Sequence, residues 1–458
     1  MDMELMKEAE RFTAENRENI IRDIGRLVAV KSVMGPAEED MPFGRGPAEA
    51  LKLALEIAGE LGLDTCNCEN MIGYAQTGSG EEHLATITHL DVVPAEGWKE
   101  DPFSLRRREG YIIGRGVLDD KGPSVLCLYA LKFFKDRGLP LRYPIRALLG
   151  INEENHMADL EYYLEHYKAP LFCFSPDANF PLCNGEKGIY HGEVRAWLPS
   201  DRIADIRGGV AANVIPDKAE AWVYAEALES TDEVSAVKEG ETWHLTARGI
   251  GGHASQPEGT RNAIGLLVDY ILDNNILSGV EKDFFLGLQA LHGSTDGSSL
   301  GIEAEDEQFT PLTIAGGVIG MRDGCVYQSV DCRYPGTSSG MLVAASLAAL
   351  WGELATVYNI SDSKPFFMRT DNPAVQVCLE AYRAVTGEDA QPYTIGGGTY
   401  ARHFPNAVSF GPEHPERPAP DFAGPIHGVD EAANADWLME ALKIYILALA
   451  GLEELDFE

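Results

Sequence analysis

The first 180 or so residues alternate short, mostly apolar segments with helical ones, and this alternation restricts the fold more than any other feature. Residues 83–91, 143–154 and 171–178 predict buried strands, since each carries a short apolar run. Residues 123–138 predict a helix that ends at a glycine cap. This order favours an α/β fold with a mostly parallel sheet flanked by helices, in which ligands bind beyond the carboxyl ends of the strands.

The pattern changes near residue 187, where strands of a mixed or antiparallel sheet are predicted together with helices near 261–280 and 340–357. The buried α/β pattern returns near residue 385 and ends in a helix. We therefore expect a split domain, formed by 1–186 and 385–458, with an α+β domain inserted at 187–384. The insert is long enough for two ferredoxin-like halves of about 100 residues each.

Length and charge exclude several classes of protein. A chain of 458 residues is too long for one ordinary core, so two or three domains are expected. The formal charge of −35 opposes binding to nucleic acid or to anionic membranes. No apolar run reaches the roughly 20 residues needed to cross a bilayer. Because the N-terminus is charged throughout and lacks the apolar core of a signal peptide, a cytoplasmic protein is expected.

Acidic residues and histidines stand where the predicted strands end. His89 and Asp91 follow one strand, and alternate residues of a strand face the same way. Adjacent aspartates occur in GRGVLDDKGP, and adjacent glutamates occur in NEEN. Each motif alone has a structural alternative, either a solvated turn or an acidic helix start. An aspartate in SPDANFP and a histidine in IHGVDE complete a series that would converge on one crevice.

This series resembles a known family, the dinuclear zinc peptidases that include carnosinase, aminoacylase and carboxypeptidase G. The segments THLDVVPAEGW, GRGVLDDKGP, SPDANFP, GGHAS, GGGTYAR and GPIHGVDE are similar to its bacterial dipeptidase subgroup, which includes PepV. The similarity spans nearly the whole chain. It implies a zinc-peptidase catalytic domain with an inserted lid domain.

The resemblance also implies a set of metal ligands. His89 and Asp177 would bind one ion, Glu154 and His427 would bind the other, and Asp119 would bridge both. Two divalent ions bring four positive charges, which three carboxylates and a bridging hydroxide would neutralise. Histidine and carboxylate ligands suit zinc, and they also suit manganese or cobalt.

The catalytic roles implied by the resemblance fall to two further acids. Glu153 would be the general base that activates the hydroxide between the metals, and Asp91 would orient His89. The peptide bond between Asp119 and Asp120 would be cis.

The substrate contacts implied by the resemblance come mainly from the lid. His253 in GGHAS would hold the oxyanion, although a satisfied polar residue in a glycine-rich turn is the alternative. An arginine fork and a loop of backbone N–H groups both suit a substrate carboxylate. The residues expected to contact the substrate are Asn213, Arg333, Gly397, Thr399, Tyr400 and Arg402. For Arg333, a position on a surface strand is an equal alternative.

The expected function is metal-dependent hydrolysis of dipeptides or very short peptides. One alternative is an N-acyl amino acid deacylase of the same family, and another is a non-catalytic binding protein on this fold. Since the second half of the insert could replace the lid of a partner subunit, the resemblance predicts a monomer.

Overall fold

The computed structural model describes residues 3–138 and 140–457. The chain forms two compact units, the first comprising Met1–Asn184, Met368–Tyr393 and Thr399–Glu458, and the second comprising Gly185–Phe367 and Thr394–Gly398. The insert therefore begins within two residues of the expected position, but the chain returns to the first unit at 368 rather than at 385. The helix Pro373–Thr386 explains the difference, because it packs against the C-terminal helix Ala435–Glu453 of the first unit.

The helices follow the apolar periodicity of the sequence, as the first shows by burying Ile20, Ile21, Ile24 and Leu27. In chain order they are α1 Met3–Val28, α2 Arg45–Glu60, α3 Lys121–Arg137, α4 Ala158–His166, α5 Ala263–Asp273, α6 Gly279–His292, α7 Gly340–Trp351, α8 Pro373–Thr386 and α9 Ala435–Glu453. Gly138 ends α3 in the left-handed conformation (φ 62°), as the predicted glycine cap requires. Among the described helices, none is both long and apolar enough to cross a membrane.

The strands are short, and many are buried on both faces. In chain order they are β1 Asp64–Cys68, β2 Ile72–Thr77, β3 Leu84–His89, β4 Arg106–Arg108, β5 Tyr111–Ile113, β6 Ile145–Gly150, β7 Phe172–Ser175, β8 Ala178–Asn179, β9 Cys183–Glu186, β10 Gly188–Ala196, β11 Ile203–Gly208, β12 Val214–Ile215, β13 Lys218–Val223, β14 Val234–Glu239, β15 Thr242–Arg248, β16 Gly252–His253, β17 Thr313–Ala315, β18 Ile319–Arg322, β19 Cys325–Tyr334, β20 Ala355–Ser363, β21 Phe366–Phe367, β22 Tyr393–Ile395, β23 Ala407–Ser409, β24 Pro412–Glu413 and β25 Ala432–Asn434.

The main sheet of the first unit has the strand order β1-β2-β6-β3-β7-β23. The pairs β6–β3, β3–β7 and β7–β23 are parallel, and every residue of β3 and β7 is buried. Full burial on both faces explains why these strands appear in the sequence as apolar runs. The outer pairs β1–β2 and β2–β6 are antiparallel, so the sheet is mixed with a parallel centre. The α/β prediction is confirmed, but the sheet is less parallel than expected.

The position of the binding crevice follows from the order of these strands. The chain passes from β3 to β6 on one side, and then crosses to β7 on the other side of β3. A reversal of this kind opens a crevice at the carboxyl end of the central strand. In this protein that end is His89.

The second unit contains an antiparallel sheet of order β14-β15-β13-β11-β18-β19-β10-β20, with β17 paired to β19. The two predicted halves are the two ends of this one sheet, because Gly208 of β11 pairs with Ile319 of β18. A shared core includes Leu267 of α5, Leu288 of α6 and Leu347 of α7.

Candidate metal centre

Five potential ligands lie at the carboxyl edge of the sheet in the first unit. His89 ends β3, and Asp119 stands in the glycine-rich turn before α3. Glu154 lies in a 3₁₀ turn after β6, and Asp177 follows β7. His427 comes from the loop before β25, where its φ of 59° places it in the left-handed region. The expected cis peptide bond between Asp119 and the next residue, Asp120, is present.

The first group of ligands joins three of these residues. The Nε2 atom of His89 lies 2.8 Å from Oδ1 of Asp119 and 3.9 Å from Oδ2 of Asp177. One ligand atom from each residue lies within 4.8 Å of the other two. An ion of zinc size bonds nitrogen and oxygen at about 2.0–2.2 Å, so such a cluster can surround it.

The second group uses the other oxygen of the same aspartate. Oδ2 of Asp119 lies 2.8 Å from Nε2 of His427, and Oε1 of Glu154 lies 3.2 Å from that nitrogen. These three atoms also lie within 4.8 Å of one another. The two carboxylate oxygens of Asp119 therefore face different groups, as a carboxylate that bridges two cations does.

The donor set fits divalent cations. The buried Nε2 atom of His89 has no partner in hydrogen-bonding geometry, although carboxylate oxygens surround it. Burial raises the pKa of Asp177 to about 7, and the Asp119 carboxylate adds to this shift. Hydrogen bonds to Asp119 and Glu154 raise the pKa of His427 to about 11, against the opposing effect of burial. Buried carboxylates packed this closely require positive charge, which a divalent ion supplies.

Asp91 fixes both the histidine and the glutamates. The Nδ1 atom of His89 lies 3.0 Å from the backbone oxygen of Asp91 and 3.5 Å from its carboxylate, so the nearer partner is the carbonyl. A proton on Nδ1 leaves Nε2 with a lone pair for a metal. The Asp91 carboxylate accepts hydrogen bonds from the backbone N–H groups of Glu153 and Glu154, each at 3.2 Å. It thus holds the turn that carries them.

Glu153 lies beside the two groups rather than in either one. Burial raises the pKa of its carboxyl well above the ordinary value. The nearby His89 opposes that shift, and Asp177 adds to it. The raised pKa means that this carboxyl holds a proton more readily than an exposed glutamate does, which suits a group that accepts a proton in catalysis.

The sequence analysis missed Glu431, which organises the loops around Asp119. Its buried carboxylate accepts hydrogen bonds from the N–H groups of Gly116, Leu118 and Asp119 at 3.0–3.2 Å. It also pairs at 2.7 Å with Arg115. The only available signal was an acidic residue four positions after His427.

Arg115 connects this arrangement to the other ligand loop. Its Nη2 atom donates to the backbone oxygens of His427 and Gly428, each at 3.1 Å. The guanidinium and the Glu431 carboxylate therefore tie the turn of Asp119 to the loop of His427.

Tyr400 does not take the position that a substrate contact requires. It is completely buried, and its hydroxyl donates to Asp159 at 2.5 Å. Asp159 in turn accepts the N–H groups of Ile151 and Asn152, just before Glu153 and Glu154. Gly150 makes room for the tyrosine, because a Cβ atom there would collide with its hydroxyl. Tyr400 thus supports the backbone beneath the site.

The neighbouring predicted contacts have mixed positions. The Thr399 hydroxyl accepts the N–H group of Ala401 and lies 2.8 Å from the Ser409 hydroxyl, so it caps a short 3₁₀ helix. Arg402 is a half-buried residue of that helix. Gly397 belongs to the second unit and is half-buried.

In the second unit, strands β12 and β16 place two of the predicted residues side by side. Val214 pairs with His253, and the backbone oxygen of Asn213 accepts the N–H group of Ala254 at 2.9 Å. His253 is exposed, and its Nδ1 atom lies 2.7 Å from the hydroxyl of Ser255. The arrangement brings Asn213 and His253 together.

Arg333 is neither a surface residue nor an open fork. It is 4% exposed, and its Nε and Nη2 atoms donate to the two oxygens of Asp331, each at 2.8 Å. A third donor, Nη1, reaches the backbone oxygen of Gly396 at 2.9 Å. The planar face expected to bind a substrate carboxylate is thus occupied by a carboxylate of the protein.

Residues 85–450 match the family model described as peptidase family M20/M25/M40. The chain belongs to that family. It is 31% identical to the putative dipeptidase YtjP of Bacillus subtilis, over 95% of this chain and 97% of that protein. It is 33% identical to the Beta-Ala-Xaa dipeptidase of Lactobacillus delbrueckii subsp. lactis, over 95% of this chain and 96% of that protein. Membership implies divalent metal ions and a peptide substrate.

Solved structures show the same fold. Human carnosine dipeptidase 1 superposes with a TM-score of 0.59 at 14% identity, over 98% of this chain and 100% of the human chain. An M20 family metallo-carboxypeptidase from Sulfolobus solfataricus gives a TM-score of 0.57 at 16% identity, over 95% and 99% of the two chains. The predicted architecture of a catalytic domain with an inserted lid domain is confirmed.

Proposed function

We propose that this peptidase is a metal-dependent dipeptidase, which hydrolyses the peptide bond of dipeptides or very short peptides. The observation that carries the proposal is the pair of ligand groups that share Asp119 and lie beside the half-buried Glu153. The family relationship supports it, because two relatives that each align with 95% of this chain are named as a putative dipeptidase and a dipeptidase.

Two ions fit the proposal, each held by one group. His89, Asp119 and Asp177 would hold the first ion, and Asp119, Glu154 and His427 would hold the second. Zinc suits these ligands best, and manganese or cobalt would also be accepted. When bound, such ions polarise a carbonyl group and lower the pKa of a water molecule.

Glu153 performs the proton transfers in the proposed mechanism. Its carboxylate takes a proton from the attacking water and later delivers it to the leaving amine. The hydrogen bond from its backbone N–H group to Asp91 fixes its place, and burial raises its pKa so that the proton is held between the two steps.

We also propose roles for two residues of the second unit. His253 would stabilise the oxyanion, and the neighbouring Asn213 would contact the substrate. We propose that both act within their own chain in a cytoplasmic monomer that needs no nucleic acid or membrane. A large lid supports the monomer, since its two halves form one continuous sheet.

The test is a panel of dipeptides assayed after metal-free protein is loaded with zinc, manganese or cobalt. Tripeptides and N-acetylated amino acids serve as comparison substrates in the same series. We expect hydrolysis of dipeptides only in the metal-loaded samples. Faster turnover of the N-acetylated amino acids would instead identify a deacylase, and no turnover with any metal would contradict an enzymatic role.

A further inference from the structure

A cavity of about 380 Å³ in the first unit adjoins loops that carry candidate metal ligands. Leu118, which directly precedes Asp119, lines it, and so does Pro425, two residues before His427. The cavity is therefore bounded by the same two loops that carry these ligands. Its volume falls in the range of small-ligand sites, about 300–1,000 Å³.

Glu413 stands where a third ligand loop meets this cavity. It lines the cavity and belongs to β24, in which it pairs with Asn179 of β8. Asn179 lies two residues after Asp177, and the N–H group of Phe180 donates to the Glu413 backbone oxygen at 2.7 Å. The strand pairing therefore holds Glu413 beside the segment that carries Asp177.

The Glu413 carboxylate is not matched by a cation of the protein. Within residues 3–138 and 140–457, its side chain makes no hydrogen bond or ion pair, although it is largely buried. Arg417, which also lines the cavity, is paired with Glu440 at 2.7 Å and Glu388 at 3.2 Å. Burial lowers the pKa of the adjacent His414 to about 4, so this imidazole is neutral at pH 7.

The electrostatic surroundings also favour a cationic ligand. Burial raises the pKa of Glu413 to about 7, so the surroundings of this carboxylate disfavour its negative charge. A bound cation would lower the pKa of Glu413 again, because an opposite charge nearby favours the ionised carboxylate.

The remaining wall of the cavity is mainly apolar. It includes the rings of Tyr111 and Trp437 and the side chains of Leu438 and Ala423. The cavity thus combines one unmatched carboxylate, next to the ligand loops, with an apolar surface. That combination suits an amino-acid residue with a free α-ammonium group, whose side chain can pack on the apolar surface.

We propose that this cavity binds the N-terminal residue of the substrate and that Glu413 accepts hydrogen bonds from its α-ammonium group. The apolar wall holds the side chain, and the adjoining carbonyl is left at the metal centre. The inference rests on the proposed dipeptidase function and adds a selection rule to it. A free amine is required, so N-acylated substrates are rejected.

The first experiment compares Leu-Ala with N-acetyl-Leu-Ala in the metal-loaded enzyme and in Glu413→Gln. Loss of a hydrogen bond between two charged groups is expected to raise KM for the free dipeptide by about ten- to a hundredfold. The preference for the free amine should fall by the same factor. Glu416→Gln is the matched control, because Glu416 is exposed in the same loop and does not line the cavity. An unchanged KM and preference in Glu413→Gln would overturn the inference.

A binding measurement separates this inference from the proposed function. L-leucinol carries the amine and the side chain but no bond to hydrolyse, and calorimetry should show that it binds more tightly than N-acetyl-leucinol. Glu413→Gln should abolish this difference, whereas Glu413→Asp, which keeps the charge, should retain part of it. Glu413-dependent binding without any dipeptide hydrolysis would uphold the cavity and reject the dipeptidase. Equal binding of the two ligands to the unmodified enzyme would overturn the inference even if Glu413→Gln did not fold.

Discussion

Replacing Glu431 by glutamine tests the structural account of the metal centre most directly. The change keeps the shape of the side chain but removes its charge, and it turns one acceptor oxygen into a donor. At least one of the N–H groups of Gly116, Leu118 and Asp119 then loses its partner. Arg115 remains buried, with a side-chain exposure of 2%, and without its carboxylate.

The expected loss of stability is large. Removing one partner of a buried ion pair costs about 3–5 kcal/mol, because the other charge stays buried. Each buried N–H group left without an acceptor costs about 1–3 kcal/mol. The two costs overlap at one site, so we expect the free energy of unfolding to fall by about 3–5 kcal/mol. Metal affinity should fall as well, because the turn of Asp119 and the loop of His427 lose their common support.

Denaturant unfolding of metal-free protein measures the stability term without a contribution from bound ions. Metal titration of the same preparations measures the affinity. Asp430→Asn is the control, because it removes a carboxylate from the neighbouring position, where a partly exposed pair with Arg106 is expected to contribute about 1 kcal/mol or less. If Glu431→Gln lost no more stability than Asp430→Asn, the role assigned to Glu431 would be wrong.

Three further predictions concern catalysis, acid stability and assembly. Glu153→Gln should abolish hydrolysis and retain both ions in elemental analysis, and loss of the ions would make Glu153 a ligand. Burial lowers the pKa of His83 to about 4, because the folded protein disfavours the protonated imidazole. The unfolded chain takes up this proton near pH 6.5, so the folded state loses stability as the pH falls from about 6.5 towards 4. This loss amounts to about 2–3 kcal/mol, and His83→Gln should flatten the fall in melting temperature between pH 7 and pH 4.5. Mixing inactive His253→Ala chains with inactive Glu153→Gln chains should restore no activity, whereas recovery would mean that the histidine acts across subunits.

The sequence predicted those strands and helices whose burial pattern is visible in their own residues. Strands β3, β6 and β7 are apolar because both of their faces are buried, and polar residues follow them where the sheet meets the crevice. The rule that ligands gather at the carboxyl ends of parallel strands predicts that His89, Glu154 and Asp177 lie together, and the family resemblance adds Asp119. The structure places these side chains within the distances of two ligand groups.

Features that depend on distant pairing could not be predicted in this way. The single sheet of the second unit depends on the pairing of Gly208 with Ile319, and no local pattern encodes that register. The return of the chain at residue 368 depends on the packing of α8 against α9.

Individual polar side chains showed the same limit. Arg333 and Tyr400 have the residue types that bind substrates, but each is satisfied by a carboxylate of its own unit, Asp331 in one case and Asp159 in the other. Glu431 was missed for the converse reason, since its partners are backbone N–H groups that leave no trace in the sequence.

Of the two ligand groups that share Asp119, one is completed much earlier than the other as the ribosome synthesises the chain. His89, Asp119 and Asp177 are synthesised within one stretch, whereas His427 follows roughly 250 residues later, after the whole insert. Strand β23, which pairs with β7 behind Asp177, also comes from that later segment. A nascent chain can therefore present one ligand group long before it can present the other, so we expect a peptidase of this design to be inactive until its last segment has been made.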